Sequence, residues 1–441
     1  MKPAITKKSS QKMLYTSVSI LVVVLILGFA IFSIYSSFFD PYRGSTKTIE
    51  ESLPLESNLS KKEASEDILF FVAKIKSRHP LWLEKKASIQ KAIEDKLNME
   101  LENLSDEPTV LEVWQKISSI SALLHDGHTY AFWKNSQELL FIHDFSQIKE
   151  YGDPIQINGF FIEAIYSRYM KLNSYESDSH AKKRFSNSII VTKSLLELCG
   201  ISTTSGITMD FNTPRGIQTY HYFFVPLPEV TGRSENSDND TWVSFNIDTK
   251  NSIGIFTLKS CNSNDEYRKV LDSFFAEIFS HNIKTLAIDL RGNSGGNSWV
   301  ANEFLTYIAV EKYKSWDCSV RYGPILWKNK NNVYENKKKA ETFAGNIFVL
   351  TDVYTYSSAM DFAMLIQDNN LGKIVGEASG NSPDSYGDCI YFQLPNSKIA
   401  LSVSFKKWYR VDQTKDGTVL RPDFSISPER ALEKVYELIE Q

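Results

Sequence analysis

The chain has 441 residues, with 49 Lys+Arg against 53 Asp+Glu and a formal net charge of −4. Its 42% hydrophobic and 23% charged residues are the balance of a folded protein of two or three units, not of a disordered one. The mild acidity argues against a nucleic-acid binder, four cysteines exclude a disulfide-dense scaffold, and the lack of C-x-x-C or H-E-x-x-H removes the usual zinc signals.

Residues 13–39 contain no Asp, Glu, Lys or Arg, and Ile20 to Phe32 is almost wholly aliphatic. About 20 apolar residues cross a bilayer, so the segment predicts a single transmembrane anchor. Lys2, Lys7, Lys8 and Lys12 precede it without an acid, and Asp40 follows at once. The positive-inside rule then makes residues 1–12 a cytoplasmic tail and puts the rest outside the cytoplasm. A cleaved signal peptide is the rival, but its apolar region is shorter, about 7–15 residues, and Ser33 to Tyr42 offers only a poor cleavage site. Without the first 39 residues the chain holds 45 basic and 53 acidic residues, or −8.

Residues 40–62 are polar and aperiodic, which predicts a juxtamembrane linker. Residues 63–129 read as a helical region. Ile68, Phe71, Val72 and Ile75 fall at helical spacing, as do Val113, Trp114, Ile117 and Ile120, with breaks at Pro80 and Asp106-Glu107-Pro108. Residues 130–250 are richer in β-type residues. Pro154 to Gly159 predicts a short strand ending in an Asn-Gly turn, Thr219 to Val225 another strand, and Ser234 to Asp240 an exposed acidic loop.

Residues 251–441 alternate between the two periodicities. Strands are predicted at Ile253–Leu258, Thr285–Leu290, Asn346–Thr351 and Lys373–Glu377, and helices at Asp265–Ser280, Trp299–Val310 and Ser358–Gln367. That order implies an α/β fold with a mostly parallel sheet. Cys389–Leu394 and Lys398–Phe405, around Pro-Asn-Ser, predict a hairpin.

Three segments at element ends carry unusual residue types. Asp289-Leu290-Arg291-Gly292-Asn293-Ser294-Gly295-Gly296 follows a buried strand, and its glycines permit positive φ and amides turned toward an anion. A tight turn is the plain reading. Thr355-Tyr356-Ser357-Ser358-Ala359 opens a helix, where a serine is either an N-cap or a nucleophile beside free amides. Leu124-His125-Asp126-Gly127-His128-Thr129 ends the helical region. A metal pair from its two histidines lacks a third ligand, and a structural histidine competes with a catalytic base.

Together these segments resemble peptidase family S41, which includes carboxy-terminal processing proteases, tricorn and the interphotoreceptor retinoid-binding protein. The family shows L-x-D-G-H-T, D-L-R-x-N-x-G-G, T-x-S-[SA]-A, a V-G-E strand and G-V-x-P-D. This chain has LHDGHT (124–129), DLRGNSGG (289–296), TYSSA (355–359), IVGEASG (374–380) and VLRPD (419–423) in that order, within a resembling stretch from about 64 to 430. The resemblance implies a ClpP/crotonase-like βαβ core, peptide or protein substrates, and no cofactor or metal. It makes Ser357 the nucleophile and the amides of Gly296 and Ser358 the oxyanion hole. A Ser/Lys dyad is disfavoured, since no lysine occurs between Lys373 and Lys398. The tricorn-like branch implies His128 as base and a carboxylate six residues before Pro422, which is Asp416 where the family has Glu. Glu377 competes for that role.

The chain departs from the family in other places. Val419 replaces a motif glycine, and Gly152 to Gly159 resembles one strand of a PDZ domain without its carboxylate-binding loop. Residues 130–250 are therefore expected to be an altered substrate-selecting segment. A catalytically silent peptide- or ligand-binding protein on the same fold is the alternative reading. Cys199, Cys261, Cys318 and Cys389 stay open between three complete pairings and free thiols.

Overall fold

The computed structural model describes residues 5–84, 86–232, 241–330 and 332–440. The expected loop at Ser234 to Asp240 lies outside the described residues. A helix, Ile5–Ile34, runs into a π-helical turn, Tyr35–Phe39. Across the two, Thr16–Phe39 is 24 residues long and apolar and contains no buried residue. That is enough to cross a membrane, and it fits an anchor or a signal sequence alike.

Residues 40–62 have almost no regular structure, as expected, yet they are strapped to the body. Thr46 N–H donates to Tyr391 O at 2.8 Å, Ser52 N–H to Lys134 O at 2.6 Å and Leu53 N–H to Ser397 O at 3.1 Å. Three helices follow: Lys61–Arg78, Ala87–Glu102 and Val110–Ser121. The first begins in a capping box, with Ser60 accepting from Glu63 N–H and the Glu63 carboxylate accepting from Ser60 N–H.

The apolar faces of these helices do not close on themselves. Ile68, Phe71, Ile75, Ile117 and Ile120 share one core with Ile390, Phe392, Leu401 and Val403 of the late hairpin. That hairpin, Tyr386–Gln393 and Ala400–Tyr409, is longer than predicted. It belongs to an antiparallel sheet with Tyr130–Phe132, Asp317–Tyr322 and Ile325–Asn329. The buried Asp67 carboxylate accepts from the backbone N–H groups of Asn396 (3.0 Å) and Ser397 (2.8 Å), fixing the hairpin turn to the first of these helices.

A second unit has its own core, including Ile157, Ile165, Phe185, Met209 and Phe211. Its sheet orders Phe160–Phe161, Gln156–Ile157, Ile207–Thr213 and Gly216–Tyr222. The predicted Asn-Gly turn is present, with φ of 48° at Asn158 and 77° at Gly159.

The third unit is the mostly parallel sheet. Its order is Phe424–Ser425, Lys373–Gly376, Asn346–Thr351, Thr285–Asp289, Ile253–Leu258 and Val243–Asp248, with only the last pair antiparallel. Every residue of Thr285–Asp289 is buried, which explains its unbroken apolar run. The helix from Trp299 stops at Leu305, before the predicted Val310, because the chain turns to bridge Ile308 with Phe343. All four cysteines are unpaired.

Because the helices and the late hairpin share a core, Phe71→Ala is expected to cost about 3–5 kcal/mol. Thermal unfolding of the full chain in detergent should then show helices and hairpin melting in one lowered transition. Two transitions, with only one lowered, would contradict the shared core.

Candidate active site

The loops after two adjacent parallel strands build the site. Asp352, after Asn346–Thr351, accepts from Gly292 N–H at 3.0 Å, and Tyr356 N–H donates to Asn293 O at 3.0 Å. Buried Thr355 donates its hydroxyl to Leu290 O at 3.0 Å. These bonds lace the Gly-rich loop to the loop carrying Ser357.

Ser357 occupies the position before the helix Ser358–Asp368, but its side chain makes no capping hydrogen bond. Its backbone has φ 52° and ψ −126°, a sparsely populated conformation for a residue with a Cβ. Such a conformation costs about 1–3 kcal/mol and clusters at functional sites. The N-cap reading of Ser357 therefore fails. Its N–H is held by Asn381 Oδ1 at 2.7 Å, so the amide that remains for a substrate is that of Ser358 in the first helical turn.

The Gly-rich loop is shaped by close approach. A Cβ on Gly295, at φ 101°, would lie 2.7 Å from Ser357 Cβ, and one on Gly296, at φ 137°, would collide with Cys261 O. Ser358 Oγ donates to Gly296 O at 2.8 Å, tying the Gly296 peptide to the start of the serine helix. Asn293 Oδ1 accepts from Gly295 N–H at 2.8 Å and its Nδ2 donates to Leu258 O at 2.9 Å.

His128 arrives from the helical region. His125 takes a left-handed conformation, φ 47°, that ends the helix, and Tyr130–Phe132 then pairs with Ala400–Ser402. Asp126 is fully buried. It accepts from Thr129 Oγ1 (2.5 Å), Ser404 Oγ (2.7 Å) and His128 N–H (2.9 Å), and it pairs with His79 Nε2 at 3.1 Å. Burial alone would raise the Asp126 carboxyl, but His128 and His79 hold it far below its ordinary range. A Cβ on Gly127 would strike the Tyr356 hydroxyl, so a larger residue there would push the Tyr356 ring aside.

The His128 ring lies 5.1 Å from the Tyr356 ring. Its buried Nδ1 has no hydrogen-bond partner and faces Asp126 Oδ1 at 3.7 Å and Glu176 Oε1 at 3.8 Å. These separations exceed hydrogen-bond length, so the attraction is chiefly Coulombic. Burial disfavours the imidazolium, but Asp126, Glu176 and Asp361 outweigh it and raise the His128 pKa above its ordinary value. Glu176 is pushed up to about 7, by burial and then by the Asp126 charge, against the pull of His128 and the N–H groups of Ser382 and Gly127.

His128 and Ser357 line the same two cavities. One, of about 510 Å³, also holds Gly296, Ser358, Asp361 and Asn381. The other, of about 390 Å³, holds Tyr130, His180, Tyr354 and Tyr356. Of the predicted site residues, the structure thus gathers Ser357, His128, Gly296 and Ser358. It does not bring Asp416 or Glu377 to His128. The Asp416 side chain is nearly half exposed and folds back on its own turn, accepting from Thr418 N–H (2.8 Å) and Oγ1 (2.6 Å). Glu377 ends its strand away from both cavities, and burial and the Asp352 and Glu429 charges raise its pKa.

The carboxylates that face His128 are Asp126, Glu176 and Asp361. The sequence reading gave none of them that role. Glu176 sits in a turn of the second unit with no motif around it, so no local signal marks it. Asp126, His128 and Glu176 also offer ligand atoms within 4.8 Å of one another, enough for a metal ion. Against that, both Asp126 oxygens already accept hydrogen bonds. His125 turns away from the site and lines a separate cavity with Arg168.

Residues 252–426 match the model of peptidase family S41. No curated protein sequence matches the chain. Among solved structures, it is similar to mature CPAF complexed with lactacystin at 12% identity and TM-score 0.59, covering 86% of this chain and 97% of that one. A serine-to-alanine variant of CPAF gives TM-score 0.61 at 12% identity, covering 86% and 96%. A candidate peptidase from Parabacteroides merdae gives 0.50 at 12%, covering 87% and 98%. At these identities the likeness establishes a shared fold.

Gly296→Ala is expected to destabilise the protein by about 3 kcal/mol or more, because the new Cβ meets backbone that has no freedom to yield. Gly292→Ala meets open space and carries only its left-handed conformation, about 1–2 kcal/mol. Thermal midpoints of the two variants measure the difference, and equal shifts would contradict the close packing at Cys261.

Proposed function

Since residues 252–426 belong to peptidase family S41, we propose that this serine peptidase is a membrane-anchored, extracytoplasmic enzyme that cleaves peptide bonds through Ser357, with His128 as general base. The observation that carries the reading is the uncapped, positive-φ Ser357 at a helix start, sharing two cavities with a partly buried histidine. The apolar helix Thr16–Phe39 and the basic residues before it support the anchor.

With Nδ1 turned toward Asp126 and Glu176, Nε2 is the nitrogen left for Ser357. It takes the Ser357 proton as Oγ bonds to the substrate carbonyl carbon. The oxyanion is received by the Gly296 and Ser358 amides, which together supply a few kcal/mol. His128 then gives its proton to the leaving amine as the C–N bond breaks, and water repeats the sequence on the acyl-enzyme. Asp126, ionised throughout, is the permanent counter-charge to the imidazolium, and Glu176, pushed up to about 7, adds to it only where it ionises. Lys373 is paired with Asp423 at 3.3 Å and Lys406 with Asp388 at 2.5 Å, which leaves neither free as a base.

Ser357→Ala and His128→Ala should each lower kcat/KM by about 10³-fold or more in the full chain, and Lys373→Ala should change it little. A fluorophosphonate probe should label Ser357. A chain never labelled, in any condition, would favour the silent binding protein instead.

The base must be neutral, and its pKa is raised in the folded protein. Activity should therefore fall as pH drops through a value above the ordinary histidine range. Glu176→Gln removes a negative neighbour, so the acid limb of the kcat/KM profile should move to lower pH. A limb that stays in place would show that Glu176 does not act on His128.

A further inference from the structure

We propose that the larger cavity beside Ser357 selects a lysine or arginine at the residue whose carbonyl is attacked, with Asp361 as the recognising group. This rests on the peptidase reading above.

Asp361 lies four residues after Ser357, so it shares the serine's face of the helix one turn deeper. It lines the cavity that holds Ser357 and both proposed oxyanion donors. A side chain next to the attacked carbonyl would enter that space. Among the described residues, no donor bonds to the Asp361 carboxylate, although burial and the nearby Asp388 charge push it up to about 7. Asp361 is partly buried, so its carboxylate faces the cavity with no such donor, and a cation that enters can pair with it.

The rest of the cavity matches a long basic side chain. Its wall includes Trp299, Trp316 and Trp408, apolar surface suited to a methylene stem. The protein already holds one ammonium there in this way: Lys406 Nζ lies 5.2 Å from the Trp408 ring centroid and 2.5 Å from Asp388. Asp388 and Lys406 therefore satisfy each other. Asp361 is the remaining acid, and an acidic substrate side chain would face it unpaired. Asp388 and His128 both act on Asp361, but Asp388 is paired with Lys406, and the imidazolium that forms during the reaction adds no permanent partner.

The test uses full-length protein in detergent and peptides that differ only at the residue before the scissile bond: Lys, Arg, Leu, Gln or Glu. The Lys and Arg peptides should exceed the Leu peptide by at least about tenfold in kcat/KM, and Asp361→Asn should lower the Lys-to-Leu ratio by at least tenfold. A parent enzyme without that preference, or a ratio that Asp361→Asn leaves unchanged, overturns the inference while the peptidase reading stands. A Gln preference would mean that Asp361 donates as a neutral acid, and also overturns it. Fluorescence anisotropy of the labelled Lys peptide on Ser357→Ala, with and without Asp361→Asn, gives a readout that needs no turnover. Asp361-dependent binding with no cleavage by the parent would keep the inference and sink the peptidase reading.

Discussion

The site depends on one buried charge. Asp126 sits without water where the helical region ends, and an isolated carboxylate there would be prohibitively costly. It is tolerable because His79, Thr129, Ser404 and the His128 backbone surround it. Those partners come from the first helix end, from the motif itself and from the late hairpin. The same set of bonds that solvates the charge therefore fixes the register of the N-terminal helices against the hairpin. His128 is placed as a by-product of that solvation, its carbonyl further held by Ser402 Oγ at 2.7 Å.

The second unit joins the site through a different carboxylate. Glu176 accepts from Gly127 N–H at 3.2 Å, from Ser382 N–H at 2.9 Å and from the Tyr356 hydroxyl at 3.4 Å. It thus touches the histidine loop, the loop after Lys373–Gly376 and the residue next to Ser357. A segment that sequence alone assigned to substrate selection also sets the electrostatics around His128. The three units differ in core and in sheet, yet His128, Glu176 and Ser357 come one from each.

What the sequence made legible follows from where the information lies. Thr285–Asp289 and Asn346–Thr351 read correctly because strands buried on both faces need unbroken apolar runs. Ser357, Gly295 and Gly296 were legible as a junction because backbone geometry at a tight strand-to-helix turn restricts residue type, and all three take positive φ. Asp416 was misassigned because its offset from Pro422 is preserved while the turn around it is closed by its own bonds to Thr418. Glu176 was invisible because its role comes only from tertiary approach, about 50 residues from His128 along the chain. The hairpin Asp317–Tyr322 and Ile325–Asn329 was missed for a related reason: its outer strand is mostly exposed, and its run Ile325-Leu326-Trp327 shows no alternation to read.

The strain at Ser357 is the point on which the other features converge. Its unusual φ and ψ persist because four neighbours determine them together. Asn381 Oδ1 takes its N–H, and the Asp361 N–H donates to its carbonyl at 2.9 Å. Asn293 O takes the N–H of Tyr356 before it, and Gly295 leaves room for its Cβ. A structural serine at a helix start needs none of these, since capping would relax it into the extended region with a side-chain hydrogen bond instead. The fold forgoes that stabilisation and keeps the hydroxyl uncommitted at the meeting point of two cavities. The hydroxyl is thereby left free at a position where a helix cap would have consumed it.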